Sequence, residues 1–143
     1  MKDSTVISCL ALFISIITPY LNFLMNRQVN NISLESQHLE DIYVEFLTKK
    51  IPEAKRDIIY KNNYFQGSYP LQKVLVELLK ALSFYKYIDN EFYTDAKIAI
   101  QKLEDYIVLY ESEIFKNSEV PRIEIEKNLS DIYCIINNKY KNG

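Results

Sequence analysis

The feature that most constrains this chain is a run without one charged residue, Ser4 to Asn26. At about 1.5 Å per residue, a helix over this run is roughly 35 Å long, which is enough to cross the hydrocarbon core of a bilayer. The residues that follow read as water-soluble and suffice for one domain with its own core. The sequence therefore predicts one membrane span followed by a soluble domain.

The first helix is predicted to be an uncleaved anchor rather than a secretory signal peptide. Its apolar stretch is long, its start is nearly neutral, and its exit at Leu24-Met25-Asn26-Arg27 lacks the small residues of a cleavage site. Cys9 lies inside the run and Cys134 near the far end, so an intrachain disulfide is not expected. Since a chain without disulfides fits a reducing compartment, we place the C-terminal domain in the cytoplasm.

We divide the chain into a transmembrane helix at residues 1–27, a polar juxtamembrane link at 28–38 and a cytosolic helical-bundle domain at 39–143. In the last part, apolar residues recur at three- and four-residue spacing, as they do on one face of a helix. The spacing predicts a helix ending near Pro52, a short further helix at 53–61 and an aromatic loop at 62–70. Three longer helices follow: one over 71–82, one that begins at Asp89 or Asn90, and one after a break at 117–121. Because short connections give antiparallel neighbours, the predicted fold class is all-α: one N-terminal transmembrane helix followed by a small antiparallel helical bundle.

A stripe of small and polar side chains follows one side of the predicted membrane helix. At about 100° per residue these side chains share a sector of about 80°, and large apolar residues occupy the other side. Pro19 cannot donate to the carbonyl of Ser15, which leaves a loosened backbone oxygen on the same stripe and makes Pro19 a candidate hinge. The candidate pore-lining residues are Ser8, Ala11, Ser15, Thr18, Asn22 and Asn26.

The stripe has three interpretations, the simplest being an anchor whose polar residues arose by chance and have no structural role. Small and hydroxyl side chains let helices approach and hydrogen-bond, so the stripe fits an ordinary anchor that oligomerises through this face. However, the polar side reaches through the whole span, whereas packing alone typically needs a turn or two of small residues. The length of the stripe favours a water-filled pore lined by four or more copies of the chain.

Two charged segments follow the predicted span. The acids Glu35, Glu40 and Asp41 have no compensating base nearby; gathered around a symmetry axis they form a vestibule that concentrates cations, and otherwise they are a solvated helix face. The second segment is rich in bases followed by aromatics, the chemistry that holds phosphate and stacks a base, although the simpler explanation, tyrosines in the core and lysines in water, is favoured over it. Its candidate ligand-binding residues are Lys49, Lys50, Lys55, Arg56, Tyr60 and Lys61.

Enzymatic chemistry has little support in the sequence. The one histidine, His38, has no obvious nucleophile beside it, and Gly67 is the only internal glycine, so there is no phosphate-binding glycine loop. No Cys or His pair has the spacing of metal ligands. We therefore predict no catalytic residues, no metal site and no cofactor. The net charge of −2 disfavours general nucleic-acid binding.

The stretch Lys49-Lys50-Ile51-Pro52-Glu53-Ala54-Lys55-Arg56, together with the layout of a single span before a compact helical domain, resembles small membrane effectors of bacterial anti-phage defence. The Hailong-type channel effectors are the family it resembles most. The resemblance implies an oligomeric ion channel of the bacterial inner membrane that depolarises an infected cell. It also implies control by a nucleotide or oligonucleotide ligand or by a cytosolic regulatory protein.

Two functions remain open at this point. The first is a homo-oligomeric pore in the lipid bilayer, gated through its cytosolic helical domain. The second is a non-conducting, membrane-tethered interaction or regulatory module that recruits a cytosolic partner.

Overall fold

The computed structural model describes residues 17–26, 34–61, 64–111, 113 and 119–142. The chain divides into two compact units, Met1–His38 and Leu39–Gly143. In the first unit, residues 17–26 and 34–38 are helical. Within the described residues, no helix combines the length and the apolar character that crossing a bilayer requires.

The second unit is mostly helical and contains one small antiparallel sheet. Residues 39–42 are helical and precede a π-helix. In chain order, the elements are the π-helix Tyr43–Lys50, helix α1 (Ile51–Arg56), strands β1 (Ile59–Lys61) and β2 (Tyr64–Gln66), helix α2 (Tyr69–Leu82), a 3₁₀ helix (Ser83–Tyr87), helix α3 (Asn90–Tyr110) and helix α4 (Glu119–Asn142).

The core of the second unit forms where α3 packs against both α2 and α4. Each of these helices buries an apolar face whose members are spaced three or four residues apart, which confirms the helices predicted from spacing in this part of the chain. The fully buried side chains include Leu71, Leu75, Leu78 and Leu82 of α2, Ile100, Leu103 and Ile107 of α3, and Ile125, Ile132 and Ile136 of α4.

The all-α prediction is wrong for residues 59–61 and 64–66, which pair as the two strands of a β-hairpin instead of forming part of a short helix and a loop. Tyr60 pairs with Phe65 at the centre of the ladder. Phe65 is fully buried and stacks on Tyr106 of α3, with ring centroids 6.3 Å apart. Strands of three residues are too short to show a period of two in the sequence, and the contact that holds them comes from a helix far along the chain.

The prediction of a helix end near Pro52 is also wrong, because the helix continues through α1 to Arg56. Proline removes one backbone donor and its ring crowds the carbonyl one turn back, which usually ends an α-helix. Here the preceding turns are π-helical: the N–H of Ile51 donates to the carbonyl of Phe46, five residues back. The register of hydrogen bonds thus changes just before Pro52, and the chain stays helical from the π-helix into α1.

Asp89 is the N-cap of α3, one of the two positions, Asp89 or Asn90, that the sequence predicted. Its carboxylate accepts the N–H of Phe92 at 3.1 Å and the ammonium of Lys139 on α4 at 3.0 Å. The hydrogen bond from Phe92, followed by the one from Lys139, holds the pKa of Asp89 below its ordinary value. The cap therefore joins the start of α3 to the last turns of α4.

We expect Asp89→Ala to lower the free energy of unfolding by about 1 kcal/mol at neutral pH. Because the folded carboxyl has the lower pKa, its contribution is present above the unfolded pKa of about 4 and is lost as the pH falls through the folded value. Urea denaturation of both proteins from pH 7 to pH 3 checks this. A difference that stays constant over the whole range contradicts an ionised cap.

Candidate functional site

Three of the predicted pore-lining residues lie in the described part of the first unit. Thr18, Asn22 and Asn26 belong to the helical residues 17–26, and each is exposed. Their four-residue spacing places them within about 80° of one another on that helix. Pro19 lies in the same helical segment, and its role as a hinge stays a prediction. Ser8, Ala11 and Ser15 lie outside the described residues.

The remaining side of the helix at 17–26 is formed by large apolar side chains that stay exposed. Each keeps between 41% and 62% of its surface accessible: Ile17, Tyr20, Leu21, Phe23, Leu24 and Met25. Soluble monomers rarely expose a contiguous apolar patch of this kind, and such patches mark contacts with protein or membrane.

The predicted vestibule acids are found on helical residues of both units. Glu35 is half-buried in the first unit, and Glu40 and Asp41 are exposed in the second. Their gathering around a symmetry axis stays a prediction.

The predicted ligand-binding bases point to different neighbours. Lys50 lies 2.6 Å from Glu45 and 2.9 Å from Glu77 of α2, and its ammonium lies 4.7 Å from the ring centre of Phe46. The hydrogen bonds to Glu45 and Glu77 raise the pKa of Lys50. Lys55 instead forms an ion pair with Glu126 of α4 at 2.7 Å. Lys50 thus joins the π-helix to α2, and Lys55 joins α1 to α4.

Arg56 is exposed and forms no ion pair within the described part of the chain, and the same holds for Lys49 and Lys61. Tyr60 is half-buried on β1, where burial, followed by the charge of Glu126, raises its pKa to about 12. Its hydroxyl therefore remains protonated at neutral pH. It offers a hydrogen-bond donor and not a charge.

Lys55 and Arg56 line a groove of about 520 Å³ between α1 and α4. Its floor is apolar, with the buried side chains of Ile51 and Leu129, and its rim is charged. This volume lies in the range of small-molecule sites. The full lining is Ile51, Pro52, Lys55, Arg56, Glu126, Leu129, Ser130 and Tyr133.

The α4 side of this groove was not found from the sequence. Glu126, Ser130 and Tyr133 lie on a helix that begins more than sixty positions after α1, and none of them belongs to a motif. Their spacing of four and three residues places them on one face of α4, beside the buried Leu129. That spacing was the only available signal, and it is common to every amphipathic helix.

Tyr133 has a second role at the base of the groove, which follows from Pro52. In the π-helical register the residue after Ile51 would donate to the carbonyl of Leu47, but Pro52 has no N–H. The hydroxyl of Tyr133 supplies the missing donor and reaches the Leu47 oxygen at 2.6 Å. Leu47 is buried, so this carbonyl has little access to water. This hydrogen bond therefore connects α4, which forms one wall of the groove, to the π-helix.

We expect Tyr133→Phe to destabilise the second unit by about 1–3 kcal/mol, because it leaves the Leu47 carbonyl buried and unpaired. The matched control is Tyr93→Phe, whose hydroxyl makes no hydrogen bond to the described residues; it should change stability by less than about 0.5 kcal/mol. Equilibrium unfolding in urea measures both. Equal stability of the two variants contradicts the assigned role.

No residues in the described ranges form a group of three or more His, Cys, Asp or Glu side chains suited to a metal ion. Cys134 is exposed and unpaired with another cysteine. The groove presents a guanidinium and an ammonium beside apolar and aromatic side chains, and these groups are suited to hold a phosphate next to a ring.

Comparison with known proteins gives no relative: no protein-family description, no curated protein and no solved structure matches the chain. The resemblance to anti-phage membrane effectors thus stays a prediction from layout and from the Lys49–Arg56 stretch.

Proposed function

We propose that the chain is a membrane-anchored effector of the bacterial inner membrane, with its second unit in the cytoplasm. Copies of the first unit, four or more, assemble into an ion-conducting pore. The second unit controls this pore through a ligand or partner bound in the groove between α1 and α4. A role in anti-phage defence follows the resemblance in layout and belongs to the same proposal.

One observation carries the pore: the helix at 17–26 combines a polar stripe with an exposed apolar remainder. Thr18, Asn22 and Asn26 share one sector, and the apolar side chains around them are exposed in the described part of the chain. In the sequence the stripe continues through Ser15, Ala11 and Ser8 at intervals of three, four and three residues. Asparagine is costly to expose to lipid, so the stripe belongs against water or another copy, and the apolar side belongs against acyl chains.

Regulation is assigned to the groove because of its composition. Arg56 offers a planar fork of donors without an ion-pair partner among the described residues, and Lys55 is held by Glu126 alone. A phosphate bound there competes with Glu126 for Lys55, while the ring of Tyr133 and the flat face of Pro52 accept an aromatic base. Such a ligand opens or closes a pore only by binding one state more tightly than the other.

The subunit count of the detergent-extracted full chain tests the pore. Mass determination by light scattering, corrected for bound detergent, is expected to give four or more copies. A monomer overturns the proposal, because a single span encloses no channel, and a dimer argues against it for the same geometric reason.

Calorimetry of the full chain with short oligonucleotides tests the ligand class. We expect measurable heat of binding and an affinity that weakens as salt is added. The affinity of Arg56→Gln should be at least about tenfold lower than that of the parent chain. The control is Lys49→Gln, which removes an exposed base outside the groove and should bind like the parent chain. Absence of heat at any salt concentration discards the nucleotide ligand but leaves the pore untouched.

The second candidate function is a non-conducting, membrane-tethered interaction module. The apolar floor of the groove favours it, because an apolar trough with charged edges also fits a peptide segment of a cytosolic partner. Replacing residues 4–26 by leucine separates the two functions. A tethered module keeps its cellular activity after this exchange, whereas a pore loses it.

A further inference from the structure

On the outer face of α3 lies a ridge of side chains that are exposed in the described part of the chain. We define the α3 ridge as Ile98, Lys102, Asp105 and Leu109, whose spacing of four, three and four residues keeps them within an arc of about 60°. Ile98 is 58% exposed and Leu109 is 64% exposed. The ridge lies opposite the face of α3 that is buried against α2 and α4.

The α3 ridge has an apolar residue at each end and a base and an acid between them. Two such ridges that run in opposite directions therefore match each other. When a second copy lies antiparallel, with a two-fold axis between residues 103 and 104, Ile98 meets the second copy's Leu109. In the same register, Lys102 meets the second copy's Asp105, and each contact occurs twice. Apolar pairs thus close both ends of the contact and opposite charges face each other at its centre.

The charges at the centre of the ridge are available for this contact. Asp105 forms no ion pair within the described part of the chain, and Lys102 reaches Asp131 at a long 3.6 Å with both side chains more than half exposed. A pair held this loosely contributes little, so Lys102 is free to turn to a second copy. Like charges would meet if the two ridges ran parallel in the corresponding register, which selects the antiparallel arrangement.

We propose that the α3 ridge is a self-association surface that takes the same ridge of a second copy in antiparallel orientation. A single helix face is smaller than the roughly 800 Å² per partner of standard stable interfaces, so the contact is weak between free molecules. Confinement of copies to one membrane raises their effective concentration and strengthens it. Only this strengthening rests on the proposed function, and the contact itself lies wholly in the second unit.

Disulfide cross-linking of the full chain tests the register. In a background of Cys9→Ser and Cys134→Ser, one copy carries Ile98→Cys and a second, differently tagged copy carries Leu109→Cys. Under a mild oxidant we expect a cross-linked mixed dimer. Each variant alone should cross-link at least tenfold less, because in this register identical positions lie about 16 Å apart along the helices, beyond the reach of a disulfide.

Charge exchange tests the centre of the contact with the same cross-link as readout. Asp105→Lys in both copies should lower the yield of the cross-linked mixed dimer about tenfold, because both central pairs of charges become repulsive. The yield should return when one copy carries Asp105→Lys and the other Lys102→Glu, since opposite charges then face each other again. This recovery cannot arise from damage to the fold. Lys141→Glu at the end of α4 changes the charge by the same amount as Lys102→Glu and should leave the yield unchanged.

Two outcomes overturn the proposal. The first is equal cross-linking for mixed and single variants, which indicates random encounter or a different partner for this face. The second is the absence of any cross-link. Neither readout depends on conduction or on the subunit count, so a chain that forms no pore can still show the antiparallel contact, and a pore can lack it.

Discussion

Ser15→Leu combined with Asn22→Leu is expected to abolish ion leakage through liposomes that contain the protein. Both side chains belong to the polar stripe, and two leucines in each of several copies make the wall of the channel apolar, so water and ions leave it. The second unit shares no residue with this change and should keep its circular dichroism and its urea midpoint. The measurement is the decay of a potassium gradient at equal protein density.

The matched control is Thr5→Leu combined with Tyr20→Leu, which removes two hydroxyl groups outside the stripe. On the same helical projection Thr5 and Tyr20 lie about 60° or more away from the stripe. Leakage should persist in this variant. If the stripe variant conducts like the parent chain, the pore has to be abandoned; if both variants stop conducting, the stripe has no special part in conduction.

Gly67→Ala is expected to cost about 2–4 kcal/mol of unfolding free energy, the largest effect of a single added methyl group that the structure supports. Gly67 has φ of +82°, in the left-handed region that side chains disfavour. A Cβ there would also lie 2.5 Å from the carbonyl oxygen of Asp57, which is backbone and cannot swing aside. Strain and collision therefore add, and the hairpin must shift away from α1.

The control for Gly67 is Gln66→Ala, an exposed neighbour whose substitution should stay within about 0.5 kcal/mol of the parent chain. Gly67→Asn separates the two causes, because asparagine tolerates a positive φ but still carries the colliding Cβ. We expect it to remain destabilised. Urea denaturation gives all three values, and a Gly67→Ala variant as stable as Gln66→Ala would refute this account of the turn.

The sequence predicted the long helices because their buried faces leave a regular trace. Leu71, Leu75, Leu78 and Leu82 show it most clearly, since every one of them is fully buried. The cap near Asp89 could also be predicted from the sequence, because an acid before an amphipathic segment accepts hydrogen bonds from the first backbone N–H groups of the helix. Local chemistry sufficed for these elements.

What the sequence did not reveal depends on contacts between distant positions. The hairpin requires Phe65 to meet Tyr106, and the unbroken helix at Pro52 requires the hydroxyl of Tyr133 at the Leu47 carbonyl. The basic stretch was predicted to form one site, yet Lys50 and Lys55 form ion pairs with acids on two different helices. A run of bases shows charge but not which neighbour will neutralise it.

The turn after the hairpin has a consequence for how the second unit assembles. Ser68 is fully buried, and its backbone N–H donates to the carboxylate of Glu111 at 3.0 Å, just past the end of α3. A nascent chain that stops short of Glu111 must leave this amide without its acceptor, which costs about 1–3 kcal/mol. We therefore expect the hairpin to reach its full stability only when the chain extends through Glu111, since α3 also supplies the ring of Tyr106 that stacks on Phe65.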